Sequence, residues 1–441
     1  MGPNDVQLLL ADVAVIIILA RLLGIAAQRL GQPPVLGEIL AGILLGPTFF
    51  HGRITTTLFP TTLIPPLTAL ADIGLVLFMF VVGYEVDLRL IRGRERAAFS
   101  VSIGSVALPL ALGSGLGVWL AHRNHLHHGS TFALFIGTAM AATAFPVLAR
   151  ILTDRGLHRT RIGGLALGSA AAADVLAWSL LAVVVAGSSP QWRIALAIPY
   201  AAVMFLVVRP LLRRLARAYQ QAGRVTPSIL ATLLAGLLLS SYATNWMGLH
   251  FIFGAFLFGV VMPRAAVPGL RGDILVRLEQ ISVLVLLPIY FVLAGLSINL
   301  SMIGHSGLEE LGAILIVAIG GKLAGAYGGA QTAGIRGRNA GVMATLMNTR
   351  GLTELVILGV GLQLHILTKP LYSLMVIMAL VTTAMSGPLL KAIYPDRVMG
   401  RDIAAESRPE VSTGFGAELA QTTVGMGQLH DLAGRAAERG A

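Results

Sequence analysis

The sequence predicts an all-α polytopic membrane protein of about thirteen transmembrane helices, and three observations carry that reading. The first is composition: over 441 residues, 56% are hydrophobic, 12% are charged and 51 are glycine, with a mean hydropathy of +0.80, a profile outside the range of soluble domains. The second is the recurrence of apolar runs about 20 residues long, the length that crosses roughly 30 Å of hydrocarbon. The third is the concentration of arginine in alternate connections between those runs.

The runs lie near 6–28, 34–50, 63–86, 97–121, 130–152, 162–187, 194–216, 226–246, 248–263, 278–300, 309–333, 339–362 and 370–391. The first begins "MGPNDVQLLLADVAVIIILA", without the basic region and small-residue cleavage site of a secretory signal, so it reads as a retained span. The second and ninth are short. The chain has no cysteine, which excludes disulfides, thiolate metal sites and cysteine nucleophiles.

Connections after odd-numbered spans hold nineteen basic residues, among them Arg89, Arg92, Arg94 and Arg96 and the cluster Arg209, Arg213, Arg214, Arg217 and Arg224. Connections after even-numbered spans hold four: Arg53, Arg123, Arg193 and Lys369. The positive-inside rule then puts the N-terminus outside and the C-terminus in the cytoplasm of a multi-pass cell-membrane protein. The formal charge of +11 is mostly this topology signal and calls for no nucleic-acid partner.

An internal repeat is also legible. "GEILAGILLGP" (37–47) resembles "LHFIFGAFLFGVVMP" (249–263), and "GLVLFMFVVGYEVDL" (74–88) resembles "LLPIYFVLAGLSINL" (286–300). Gly42 matches Gly254, Gly83 matches Gly295 and Leu88 matches Leu300 at one offset of 212 residues. Seven spans separate the copies, so they cross the membrane in opposite directions. Two inverted six-helix repeats are the plan of secondary transporters.

Pairing spans 1–6 with 8–13 makes span five the counterpart of span twelve, and both are interrupted. Span five carries Phe145 and Pro146 in "TAFPVLARIL"; span twelve carries Asn348, Thr349, Arg350, Gly351 and Glu354 in "NTRGLTELVIL". Proline lacks an N–H and disfavours helix at the preceding residue, which frees carbonyls and lets Thr143 offer oxygen. Such backbone survives at mid-depth only when buried in protein or lining a water-filled cavity.

Asp174 stands alone in "GSAAAADVLAWSLLAV" (168–183), 13 residues past Arg161, about 20 Å along its helix and near the bilayer centre. Burial there penalises the ionised form unless a proton or a cation compensates it. A carboxylate that takes one or the other, not both, is a competition device, and an ionisable residue at that depth reads as functional.

"TAFPVLARIL", "ADVLAW", "LLPIYFVLAGLSINL" and "NTRGLTELVIL", in that order, resemble the second branch of the monovalent cation/proton antiporters, over residues 5 to about 393. The resemblance implies exchange of Na+ or K+ for H+ by elevator-type alternating access, with no enzymatic activity, no cofactor and no structural metal. It also implies a homodimer in membrane lipid. Spans 4–6 and 11–13 would form an ion-carrying core in which helices 5 and 12 cross at their unwound centres; spans 1–3 and 8–10, linked by span 7, would form the scaffold.

By residue match, the family's essential aspartate falls on Asp174, the threonine of its broken fifth helix on Thr143, and its helix-11 base on Lys322 in "IGGKLAGAYGG". The position before the aspartate, commonly Asp in electrogenic and Asn or Gln in electroneutral members, is Ala173. One proton carrier therefore remains, and electroneutral exchange is expected. Lys322 has three readings: a partner for Asp174, a neutraliser of the crossing point, or a lysine snorkelling to the interface. Arg350 and Glu354 read equally as a self-contained pair and as part of the ion pathway. The alternative function is a sodium-coupled symporter of an organic anion on the same inverted-repeat plan. That transporter needs a larger polar cavity and sodium sites at both crossing points, where this sequence offers a single deep carboxylate.

Other features carry less. His122, His125, His127 and His128 share an outward loop without fixed ligand geometry, Glu85 and Asp87 read as charge partners of nearby arginines, and Glu38 and Asp72 are open. Residues 394–441 form a polar tail, expected to be disordered and too short for a regulatory nucleotide-binding domain.

Overall fold

The computed structural model describes residues 3–49, 53–85, 95–126, 129–155, 157, 160–186, 196–263, 269–302 and 304–395. The described residues are helical, with no strand among them. The helices are α1 (Pro3–Arg29), α2 (Pro34–Leu45), α3 (Arg53–Leu58), α4 (Ile64–Glu85), α5 (Glu95–Arg123), α6 (Gly129–Ala141), α7 (Phe145–Asp154) and α8 (Arg161–Ala186). Ala197–Val203, a π segment Met204–Val208 and Arg209–Ala222 together form α9. Then follow α10 (Pro227–Trp246), α11 (Phe251–Val261), α12 (Leu270–Leu296, with a π segment at Ser282–Leu286), α13 (His305–Thr332), α14 (Arg338–Met347), α15 (Leu352–Gln363) and α16 (Lys369–Ile393).

Each of the thirteen apolar runs coincides with helix, and the short α3 lies in a connection. Among the described residues, eight helices are long and apolar enough to cross a membrane, and α2, α6, α11 and α15 are shorter apolar helices. Spans five and twelve are each two half-helices, α6 with α7 and α14 with α15. The seventh run differs: α9 is not among the eight, because its Arg209–Ala222 part is amphipathic, with Leu212, Ala216 and Tyr219 buried and Arg209, Arg213, Arg214 and Arg217 exposed.

Side-chain contacts between helix ends test the alternation of the chain. Tyr84 Oη donates to Pro263 O (3.3 Å), Arg277 Nη1 to Val225 O (2.8 Å) and Arg155 Nη2 to Gly387 O (3.4 Å). These residues lie at or near the ends that lead to the arginine-rich connections. At the other face, Arg123 pairs with Glu309 (2.6 Å), and Thr48 Oγ1 donates to Ile298 O (3.3 Å). Each bond joins ends that the alternating count places on the same face.

The inverted repeat is visible in the packing. The second span packs on the tenth (α2 on α12) and the third on the ninth (α4 on α11), the exchange of partners that a two-fold relation between copies demands. Both contacts are backbone-close. A Cβ on Gly42 would strike Val292 O and the Gly295 backbone, and one on Gly83 would strike Phe256 O. Small residues at these crossings let helices meet without side chains between them.

Asp87, Arg89, Arg92, Arg94, His127 and His128, and the tail from residue 396, lie outside the described residues.

Gly42→Ala is expected to overpack the α2–α12 crossing at a cost of about 1–3 kcal/mol, lowering the unfolding midpoint of the detergent-solubilised protein by several degrees. Gly115→Ala, whose added Cβ meets nothing within 4 Å, should not lower it, since alanine favours a helix interior over glycine. Equal midpoints for both variants would contradict the close crossing.

Candidate functional site: two broken helices and a buried carboxylate

The interruption of span five falls at residues 142–144, before the proline. Phe145 opens α7 and Pro146 occupies its first turn, where a missing N–H costs no hydrogen bond. The sequence reading put Phe145 and Pro146 in the break itself; they start the second half-helix instead. In span twelve the break covers residues 348–351. Gly351 there has φ 150°, in the region that glycine occupies without strain. The two breaks touch through the backbone, with Ala144 N donating to Thr349 O at 3.0 Å.

Breaking a helix leaves carbonyls without partners at one end and N–H groups at the other, and these ends carry opposite partial charges. At the C-terminal end of α6, Lys322 Nζ donates to Ala141 O. Arg350 Nη2 donates to Met140 O (2.8 Å) and to Ala318 O of α13 (3.1 Å). Two cations thus cap the negative end of the half-helix. At the positive end of α7, the backbone N–H of Phe145 is directed toward Asp174 of α8. Glu354, in the first turn of α15, holds the matching place in span twelve and pairs with Arg350 Nη1 at 2.7 Å.

Lys322 is fully buried, ten residues before the end of α13, so the snorkelling reading is overturned. No ion pair within 4 Å joins it to Asp174, although both lie in one electrostatic cluster with Arg350 and Glu354. Arg350 is more than half of a local pair, because it also ties α15 to α6 and α13.

Asp174 is 0% exposed, and neither carboxylate oxygen completes a hydrogen bond. Among the described residues the same is true of Thr143 Oγ1, Asn348 Oδ1 and Nδ2, Thr349 Oγ1, Thr353 Oγ1 and Glu354 Oε2. Most are oxygens, the donor type that hard cations take. Thr353 escaped the sequence reading, though it lies inside "NTRGLTELVIL" between residues already singled out. The cation caps on Met140 O and Ala141 O also escaped it, because backbone acceptors carry no residue-type signal.

The other candidates stand apart. His122 Nδ1 lies 2.9 Å from Val118 O of its own helix. Among the described residues no three metal-type side chains cluster. The backbone oxygen of Glu85 accepts from Arg271 (3.3 Å).

The sodium/hydrogen exchanger transmembrane family model matches residues 14–394. The chain is 37% identical over 410 residues to the Na(+)/H(+) antiporter NhaS4 of Synechocystis, covering 90% of this chain and 99% of that one. It is 33% identical to the K(+)/H(+) antiporter 1 of Saccharomyces cerevisiae over 90% of this chain and 47% of the yeast protein. With the cation/H(+) antiporter 20 of Arabidopsis thaliana the figures are 35%, 92% and 51%, so the chain spans about half the length of these eukaryotic relatives. The fold matches that of the sodium proton antiporter MjNhaP1 from Methanocaldococcus jannaschii with a TM-score of 0.62 at 17% identity, over 90% of this chain and 99% of that one. A helical chain broken at two matching points, with a partnerless carboxylate beside the crossing, matched by that family over most of its length, is a member of the sodium/hydrogen exchanger family of membrane transporters and not an enzyme.

Proposed function

We propose that this chain exchanges a monovalent cation, Na+ or K+, for protons across the membrane, and that Asp174 is the group for which the two compete. One observation carries the reading: Asp174 is wholly buried with both oxygens unpartnered. A bare charge in that position costs several kcal/mol, so the carboxylate binds either a proton or a cation. The names of relatives, which include sodium and potassium antiporters, support the substrate class. Thr143 within the break supplies further oxygen, and Asn348, Thr349 and Thr353 border the same crossing.

Lys322 and Arg350 neutralise the C-terminal end of α6 in this scheme, and Glu354 balances Arg350. With Asp174 ionised the four side chains sum to zero formal charge. With either a proton or a monovalent cation bound they sum to plus one. The two loaded states are then electrically alike, which is the basis for an electroneutral cycle. Alternating access follows if α5–α8 and α13–α16 move as a carrier against a scaffold of α1–α4 and α10–α12, in an elevator motion within a homodimer. The N-terminus faces outward and the arginine-rich connections face the cytoplasm in this arrangement.

Asp174→Asn keeps the side-chain shape and removes the titrating group, so cation-driven proton release from proteoliposomes should fall to background while the protein stays folded and monodisperse. The assay contains no organic solute, which separates exchange from anion symport. Retention of more than a small fraction of wild-type release would overturn the assignment.

Lys322→Arg should keep exchange, because it still presents a cation to Ala141 O. Lys322→Ala leaves that carbonyl uncapped, a loss of about 1–3 kcal/mol, and should lower thermal stability before it lowers transport. Complete loss of transport in a stable, folded Lys322→Ala protein would make the lysine a participant in proton movement.

A further inference from the structure

The contacts between the proposed carrier and scaffold include a polar group that ion exchange does not use. His250, the residue before α11, is buried, and its Nε2 lies 2.9 Å from Oε1 of Gln363, the last residue of α15. The His250–Gln363 contact joins the start of α11 to the second half of the broken helix at the arginine-poor face, with Asp72 of α4 near the glutamine amide.

This junction is part of a longer seam on that half of the molecule. Tyr290 Oη of α12 donates to Leu355 O of α15 (3.2 Å), and Gly359 leaves room for the tyrosine hydroxyl, which a Cβ there would strike. Tyr372 Oη of α16 donates to Ala294 O (3.4 Å), and Asn299 N donates to Ser373 Oγ (3.3 Å). Trp178 of α8, four residues beyond Asp174, packs edge-on against Phe253 of α11 and beside Phe256, with ring centroids 6.5 and 6.1 Å apart. Three carrier helices are thus fastened to two scaffold helices between the ion site and the arginine-poor face.

The mechanical link to the site is direct. α15 begins at Leu352, two residues after Arg350, and a helix of its length spans about 18 Å. Any displacement of the crossing carries Gln363 with it.

We infer that the His250–Gln363 contact is a latch: it holds the carrier closed against the scaffold on the arginine-poor face and opens before the ion site is reached from that face. The inference rests on the exchanger reading and its grouping of helices. Bonds that exist only in the closed state favour that state by their own free energy. A single net hydrogen bond then biases the two populations by roughly two- to ten-fold.

The absence of native cysteine makes the test clean. Ala177 of α8 is fully buried and lies between Asp174 and the Trp178 seam. In Ala177→Cys, a membrane-impermeant thiol reagent on the arginine-poor face should react slowly. Adding Gln363→Ala, or separately His250→Ala, should speed labelling roughly two- to ten-fold, with the unfolding midpoint showing that the variants remain folded. Unchanged labelling in both folded backgrounds overturns the latch, whatever the protein transports. In a second arm, His250→Cys/Gln363→Cys bridged by a short cleavable bis-thiol reagent should lose exchange and regain it on reduction. Full exchange while bridged also overturns the latch. Absence of exchange in wild type counts against the exchanger reading instead, and the labelling rates still decide the latch.

Discussion

The structure depends on how charge is balanced where two half-helices end inside the membrane. A helix stopped at mid-depth presents carbonyls and N–H groups that neither lipid nor its own turns can satisfy. Here the negative end of α6 receives Lys322 and Arg350, while the N–H at the start of α7 is directed at Asp174. The cations are committed to backbone oxygen, so the aspartate is left without a fixed partner. The partnerless carboxylate is therefore a consequence of stabilising the break as well as the feature on which the proposed ion site rests.

That arrangement needs a rigid frame, and the glycine crossings supply one. Contacts at Gly42–Gly295 and at Gly83 with Phe256 place backbones against each other with no side chains to repack. The hydrogen-bonded seam around Tyr290, Tyr372 and Gln363 is of another kind: a few directional bonds that can be made and broken as units. Backbone-close crossings inside each group and breakable polar contacts between groups are what the proposed carrier motion requires.

Much of this was legible in the sequence because the bilayer imposes strong rules. Span number followed from run length, the sorting of span ends onto two faces from arginine placement, and the inverted repeat from a constant offset between glycines. The two helix breaks were legible from Pro146 and from the polar run 348–351. The position of the first break was misread, because a proline marks the start of a helix as readily as its interruption, and the turn 142–144 contains only alanines and a threonine. The role of Lys322 stayed open since its acceptor is a main-chain carbonyl. The latch was hidden for a similar reason: His250 and Gln363 lie far apart in the chain and have no common motif.

The central claim is that one carboxylate serves both ions, so that the proton-loaded and cation-loaded carriers bear the same charge. Its most direct test is the voltage dependence of exchange in proteoliposomes under a fixed sodium gradient, with equal potassium on both sides. A single shared carrier predicts that clamping the membrane potential at zero with a potassium ionophore leaves the rate almost unchanged. A clear rate change on clamping, or a transport current whose reversal fits two protons per cation, would contradict the claim and place a second proton carrier, Lys322, in the cycle.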